Sequence, residues 1–193
     1  MHWKKQFDVD EVLHKAMAVF WHHGYAAASI QDLVETTGVN RASLYATYGS
    51  KRDLFIAALK AYDERGRQAL LAELKAGCSP KEAIRRLFWA NANLAFSSGE
   101  LRGCFMTNTA IELAQHDKEI GAIVAKAQEE TEAFFMRMIE KGKADGTIPE
   151  RIDARETSRG LLASLLGILV LVRSRPEKTL LRDAVENALR RLD

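Results

Sequence analysis

The sequence predicts an all-α protein, and three observations carry that expectation. Only three of the 193 residues are proline, against a usual share of about 5%, and none precedes Pro80. Ala and Leu together supply 50 residues, whereas Val, Ile and Thr supply 28. Strong helix formers thus outnumber the β-branched residues that suit strands. Apolar residues also recur at three- and four-residue steps between recognisable cap and stop residues. A chain that is 47% hydrophobic can bury a real core, since a chain of this size buries about 70% of its unfolded surface. Its length fits one large domain, or a small one followed by a larger one.

The elements follow in order. Asp8 caps the first helix, with Glu11 three residues on, and Val12, Leu13, Ala16, Val19 and Phe20 recur at helical spacing up to a stop at Gly24. Ser29 with Asp32 opens the second helix, which Gly38 ends. Asn40 opens a third, through Tyr48 to Gly49. Ser50 with Asp53 opens a fourth, expected to run to about Ala76. Pro80, behind Ser79, stands where a first helical residue tolerates proline, and that helix is expected to end near Gly99. A short helix follows Gly103 to about Ala114. A long one covers about Asp117 to Ala144, the turn Asp145–Pro149 ends it, another helix spans about 154–173, and Pro176 opens the last, about 177–191. Residues 1–50 are expected to form a small helical unit and residues 51–193 a larger body.

Other classes recede on composition. A net charge of +2 names no partner. Cys78 and Cys104 form neither a CxxC pair nor a disulfide framework. The N-terminus lacks the apolar core of a signal peptide. The longest apolar run, Leu161 to Val172, falls short of the ~20 residues a membrane span needs. A soluble cytoplasmic protein is expected. His14, His22 and His23 lack metal spacing, and no nucleotide loop or nucleophile motif is present, so no metal, cofactor or catalytic set is expected.

Residues 29–51 carry the functional signal. Two short capped helices joined by a glycine turn make a helix-turn-helix; a plain helical corner is the competing reading. Leu44 faces the core, while Arg41, Ser43, Thr47 and Tyr48 lie on the outer face. From Thr36 to Arg52 the chain holds Arg41, Lys51 and Arg52 and no acid. That local positive charge suits a phosphate surface, and an arginine at the start of such a helix can reach the guanine edge in the major groove.

With Gly38-Val39, Leu44-Tyr45, Tyr48, Lys51 and Leu54, and Phe20, Gly24, Tyr25, Ser29 and Ile30 upstream, residues 8–60 resemble the DNA-binding domain of the TetR family of transcriptional regulators. The resemblance implies base-edge positions at Gln31, Arg41, Ala42 and Ser43, and phosphate positions at Ser29, Tyr45, Thr47, Tyr48 and Lys51. Many members carry His-Phe where this chain has Thr47-Tyr48, so the DNA sequence read can differ. It further implies a homodimer on palindromic operator DNA, repressing until a small molecule binds the body.

The body offers three further expectations. Polar groups among aromatics suggest a ligand pocket lined by some of Trp89, Asn93, Phe96, Phe105, Asn108 and Glu112; the alternative turns the asparagines to solvent. Cys104, at a helix N-terminus, suggests a thiol-based redox or electrophile sensor, with a buried inert thiol as the alternative. The helix 154–173 is apolar nearly all round, with Gly160, Ser164 and Gly167 in a small-residue stripe. Together with the last helix it is read as a homodimer interface; a core helix is the alternative. The expected function is a ligand-responsive homodimeric repressor. A helical enzyme and a ligand-free DNA-binding protein are the rivals.

Overall fold

The computed structural model describes residues 7–97 and 102–193, and among these it is all helix with no strand. In chain order the helices are α1 (Val9–Ala27), α2 (Ile30–Thr37), α3 (Arg41–Tyr48), α4 (Lys51–Tyr62), a π-helical segment (Asp63–Gln68), α5 (Ala69–Gly77), α6 (Pro80–Ala92), α7 (Leu94–Ser97), α8 (Phe105–Leu113), α9 (Lys118–Ala144), α10 (Ala154–Ser174) and α11 (Lys178–Leu189).

Local chemistry explains most boundaries. The first N–H groups of a helix lack intrahelical partners, and a short polar side chain in front supplies an acceptor. Asp8 accepts from the N–H groups of Asp10 and Glu11, and Asn40 accepts from Ser43. Ser29 and Asp32 form a reciprocal capping box. The side chains of Ser50, Asp117 and Asp153 likewise accept from first-turn N–H groups of α4, α9 and α10. Gly38 stops α2 in the left-handed region, at φ 73°, where residues with a Cβ are strained.

Four boundaries differ from expectation. Gly24 breaks α1 (φ 80°, ψ 173°) without ending it, because residues 25–27 resume as a short turn. The fourth helix passes through a π-helical turn at Asp63–Gln68, where the N–H of Ala69 reaches back five residues to the carbonyl of Glu64. The helix begun at Pro80 closes at Asn93, a weak helix former, and the short α7 follows; the expected stop at Gly99 lies outside the described residues. Pro176 precedes the cap of α11, which is Glu177.

Two apolar clusters organise the molecule. The first gathers Val12, Ala16, Phe20, Leu33, Leu44, Leu54, Phe55 and Leu59 from α1–α4, together with Phe105, Met106, Ile120, Val124 and Ala127 from α8 and α9. The second gathers Leu71 and Leu74 of α5, Ile84, Leu87 and Phe88 of α6, Phe134, Phe135 and Met138 of α9, and inward faces of α10 and α11. Each fully buried aromatic contributes about 1.5–3 kcal/mol. The chain from Lys51 to Gly77 serves the first cluster with its α4 half and the second with its α5 half. The π turn marks the changeover.

By length and composition α10 is apolar enough to cross a membrane. It buries Leu161, Leu165, Ile168, Leu169 and Val172 among the body helices. Ala163, Gly167 and Val170 remain exposed on the other side. The small-residue stripe is divided: the guanidinium of Arg191 donates to the carbonyl of Gly160 (3.0 Å) and to the Ser164 hydroxyl (2.6 Å), whereas Gly167 stands open.

Nothing lies within 4 Å of a Cβ added at Gly38, so an alanine there meets only the backbone penalty. Gly38→Ala is expected to lower stability by about 1–2 kcal/mol, read as a fall in the urea midpoint with an unchanged slope.

Candidate functional site

α3 is short, and its setting explains how it is presented. Leu44, 1% exposed, pins it to the first apolar cluster, leaving Arg41 and Ala42 exposed at its N-terminus. Ser43, Tyr45 and Thr47 are half-buried. The Arg41 guanidinium lies over the Tyr45 ring, 5.2 Å from its centre. Gln31 is exposed on α2 and donates to Glu35 at 2.7 Å.

Three expected phosphate contacts are engaged inside the protein. Ser29 donates its N–H to Asp32 (2.8 Å) and accepts from the Asp32 N–H (3.1 Å), so it first serves the α2 cap. Those Ser29 bonds hold the Asp32 carboxyl below its ordinary range. The Tyr48 hydroxyl donates to the Val9 carbonyl at 2.9 Å, tying α3 to the start of α1. Burial raises its pKa. Its proton is therefore directed inward, and the ring is what Tyr48 offers to the surface. Lys51 opens α4 with its ammonium 4.6 Å from the centre of the Tyr25 ring. Burial lowers its pKa, while Glu112 and Asp32 act the other way.

Arg52 departs from its expected place in the basic surface. It donates twice to Asp117 (2.6 and 2.9 Å) and once to Glu119 (2.9 Å). These bonds join the start of α4 to the start of α9. Its charge is matched locally, whereas Arg41 and Lys51 lie over the Tyr45 and Tyr25 rings.

The body residues expected to line a pocket are scattered. Trp89 packs half-buried against the second cluster, Asn93 is exposed at the end of α6, and Phe96 is 42% exposed beneath the Lys178 ammonium. Phe105 is buried and touches Phe55 and Tyr62 edge-on, at 5.3 and 5.7 Å between ring centres. Asn108 donates to the Arg102 carbonyl. Phe105, Asn108 and Glu112 do border a surface cleft beside Gly24. Glu112, however, is occupied: its carboxylate accepts from the N–H groups of Tyr25 (3.1 Å) and Ala26 (2.8 Å). It completes the turn that Gly24 breaks, from across the molecule. A Cβ on Gly24 would stand 2.8 Å from that carboxylate and push it aside, while the backbone angles themselves call for glycine.

A more apolar cavity, open to solvent on one side, lies elsewhere, between the two clusters, with a volume of about 470 Å³. α1 lines it with His14, Met17 and Trp21, and the α4–π stretch with Ala61, Tyr62, Asp63 and Arg67. Leu87 and Asn91 of α6, Met106 and Thr107 of α8, Gln128 and Thr131 of α9, and Leu165 and Leu169 of α10 complete the wall. Cys104 also lies on it. Its neighbour Tyr62 has a pKa pushed well above the ordinary value, mainly by burial and then by Cys104. The sequence held signals for this wall. Positions 14, 17 and 21 share one helix face, and Asp63 and Arg67 stand four apart. The first reads equally well as core, and no residue pattern marks the π turn.

Comparison with known proteins decides the family. Residues 12–58 match the family described as bacterial regulatory proteins, tetR family. Residues 80–190 match the tetracyclin repressor-like C-terminal domain. The chain belongs to the TetR family. It is a DNA-binding transcriptional regulator. It is 35% identical over 190 residues to the uncharacterized HTH-type transcriptional regulator YezE of Bacillus subtilis (strain 168), covering 98% of each chain. It is 33% identical over 172 residues to the HTH-type transcriptional repressor ComR of Escherichia coli (strain K12), covering 88% of this chain and 81% of ComR. Among solved structures it is similar to the TetR-family regulator CifR, a cysteine variant complexed with 26-base-pair operator DNA. That match has a TM-score of 0.88 and 28% identity and covers both chains fully.

In this TetR-family chain the Arg52 bonds hold the Asp117 carboxyl at about 2, below its ordinary 3.8. A depressed native value means the pair's contribution is complete above the ordinary pKa and is lost as pH falls through about 2. A carboxyl-carbon NMR titration is expected to place the Asp117 midpoint near 2 and to return it toward 3.8 in Arg52→Gln. An unchanged midpoint in that variant would remove the pair as the cause.

Proposed function

We propose that this protein is a ligand-responsive, homodimeric transcriptional repressor that binds palindromic operator DNA through residues 41–48. A small molecule bound in the body releases it. The observation that carries this reading is the presentation of α3. The helix is capped by Asn40 and pinned by Leu44, with Arg41 and Ala42 bare at its N-terminus and Lys51 at the start of the next helix. Arg41, Ala42, Ser43 and Gln31 then face base edges. Tyr45, Thr47, Lys51, the Ser29 region and the Tyr48 ring line the sugar-phosphate backbone. ComR is a repressor and CifR was solved on operator DNA, which favours the same role here.

The dimer is assigned to α10 and α11. One face of α10 is consumed inside the protomer, and the exposed Ala163, Gly167 and Val170 offer the opposite face to a second copy. Residues 1–50 serve as the DNA-reading unit and 51–193 as the regulatory unit of a cytoplasmic protein. The cavity of about 470 Å³ falls within the range of small-molecule sites, ~300–1,000 Å³. It favours a ligand-responsive regulator over a ligand-free one. A bound molecule must prefer one head position to shift the population, and α4, which borders both cavity and head, carries that preference.

A cysteine-based version has one observation in its favour, the position of Cys104 on the cavity wall. Alkylation by N-ethylmaleimide that released operator DNA from the native protein but not from Cys104→Ser would establish it. Equal release from both would remove it.

In-vitro selection of DNA by the purified protein is expected to yield a palindrome whose half-sites lie about one helical turn, or a multiple of it, apart. On that operator Arg41→Ala is expected to cost about 1–3 kcal/mol and to relax one base position. Lys51→Ala is expected to weaken all sequences alike and to reduce the salt slope by about one. No enriched DNA would overturn the proposal, and wild-type binding by both variants would overturn the assigned reading surface.

A further inference from the structure

The position of the cavity says more than its size. Its walls come from both apolar clusters: Met17, Ala61 and Met106 belong to the first, Leu87, Leu165 and Leu169 to the second. A molecule placed there touches α1 directly, along the face of His14, Met17 and Trp21, in addition to α4 and the body. Trp21 is itself fastened at this junction. Its indole N–H donates to the Gly103 carbonyl at 3.1 Å, and its ring meets Tyr62 edge-on, 5.0 Å between centres.

The Asp and Arg charges on the wall are already matched. Both Asp63 oxygens are held by Arg67 (2.5 and 2.7 Å), and Gln68 adds a third bond at 2.7 Å. Arg67 also donates to Glu130 at 2.6 Å. Arg65, at the edge, pairs with Asp10 at 3.0 Å. An ionic ligand would have to give up its hydration for an apolar wall whose ions already have partners, which is unfavourable. Asn91, Thr107 and Gln128 bring neutral hydrogen-bonding groups instead.

We propose that this cavity takes an uncharged, largely apolar organic molecule, and that the molecule acts on the DNA-reading head directly through α1 as well as through α4. The proposal rests on the ligand-responsive reading above and names the ligand's chemistry and its route. Displacing Met17 and Trp21 moves α1, and α1 carries the rest of the head through the contacts of Phe20 with Phe55 and of Tyr48 with Val9.

Two dyes with one skeleton test it on the full-length protein. N-phenyl-1-naphthylamine is neutral, and 8-anilino-1-naphthalenesulfonate carries a sulfonate. The neutral dye is expected to bind at least about tenfold more tightly, because only the anion carries a charge to desolvate. Ala90 lines the cavity and is exposed, so Ala90→Trp is expected to fill it and abolish dye binding while leaving the circular dichroism and melting temperature intact. Hydrogen exchange with the neutral dye bound is expected to slow between His14 and Trp21. Equal affinity for both dyes overturns the neutral class, and unchanged binding by a folded Ala90→Trp overturns the site. Slowing confined to α6 and α8–α10 overturns the α1 route. Failure of the repressor reading itself shows separately, as no selected operator, whatever the dyes do.

Discussion

The core of α1–α4 is completed by side chains of the body, and much of the structure follows from that shared packing. A unit of about 50 residues leaves a large share of its apolar surface uncovered when it folds alone. Here the core of α1–α4 is finished by residues of the body: Phe105 and Met106 of α8, and Ile120, Val124 and Ala127 of α9. Phe105 is central, standing edge-on to Phe55 of α4 on one side and to Tyr62 on the other. The head is therefore held by side chains whose own position depends on how the body packs.

Polar contacts then set the angle of that union. Glu112 of α8 closes the turn after Gly24, and Arg52 of α4 clasps Asp117 in front of α9. Exposed ion pairs contribute little to stability, but hydrogen bonds of fixed direction select one orientation among those the apolar contacts allow. Two of these anchors, Glu112 and Asp117, flank one short stretch at the end of α8 and the start of α9. A shift of that stretch is felt at both ends of the head, at Tyr25 and at Arg52.

The sequence makes legible what is local. Caps at Asp8, Ser29, Asn40, Ser50, Asp117 and Asp153 and the stop at Gly38 each depend on a few neighbouring residues, so most helices and the exposure of Arg41 follow from pattern, while Ser43, Thr47 and Tyr48, expected on the outer face, are half-buried. Long-range partnerships do not. Glu112 among polar and aromatic neighbours looks like a pocket residue, because nothing in its surroundings reveals two unpaired N–H groups 86 and 87 positions away. Arg52 beside Lys51 looks like a phosphate ligand for the same reason, its partners being 65 and 67 positions on. The cavity is hidden more deeply, since a residue lining a void and a residue filling a core obey one periodicity. Met17 and Trp21 sit at core spacing, and only the relative placement of α1, α6 and α10 leaves space beside them.

A cavity at the seam of two cores has a mechanical meaning. Within one core, a void is surrounded by side chains that all belong to the same packed body, and filling it changes stability without favouring any arrangement of parts. Between two cores, the fit of the filler depends on how the parts are set against each other, so filling it favours one setting over another. That is the differential affinity a switch needs, since a ligand that binds two states equally shifts neither. The π turn lies at this place. It brings Asp63 and Arg67 to the cavity wall, and π-helical turns recur at functional positions in helices. The helix that carries Lys51 at one end is thus irregular where it meets the cavity, and α1 meets the same cavity with Trp21. The head is linked to that space by two helices rather than one.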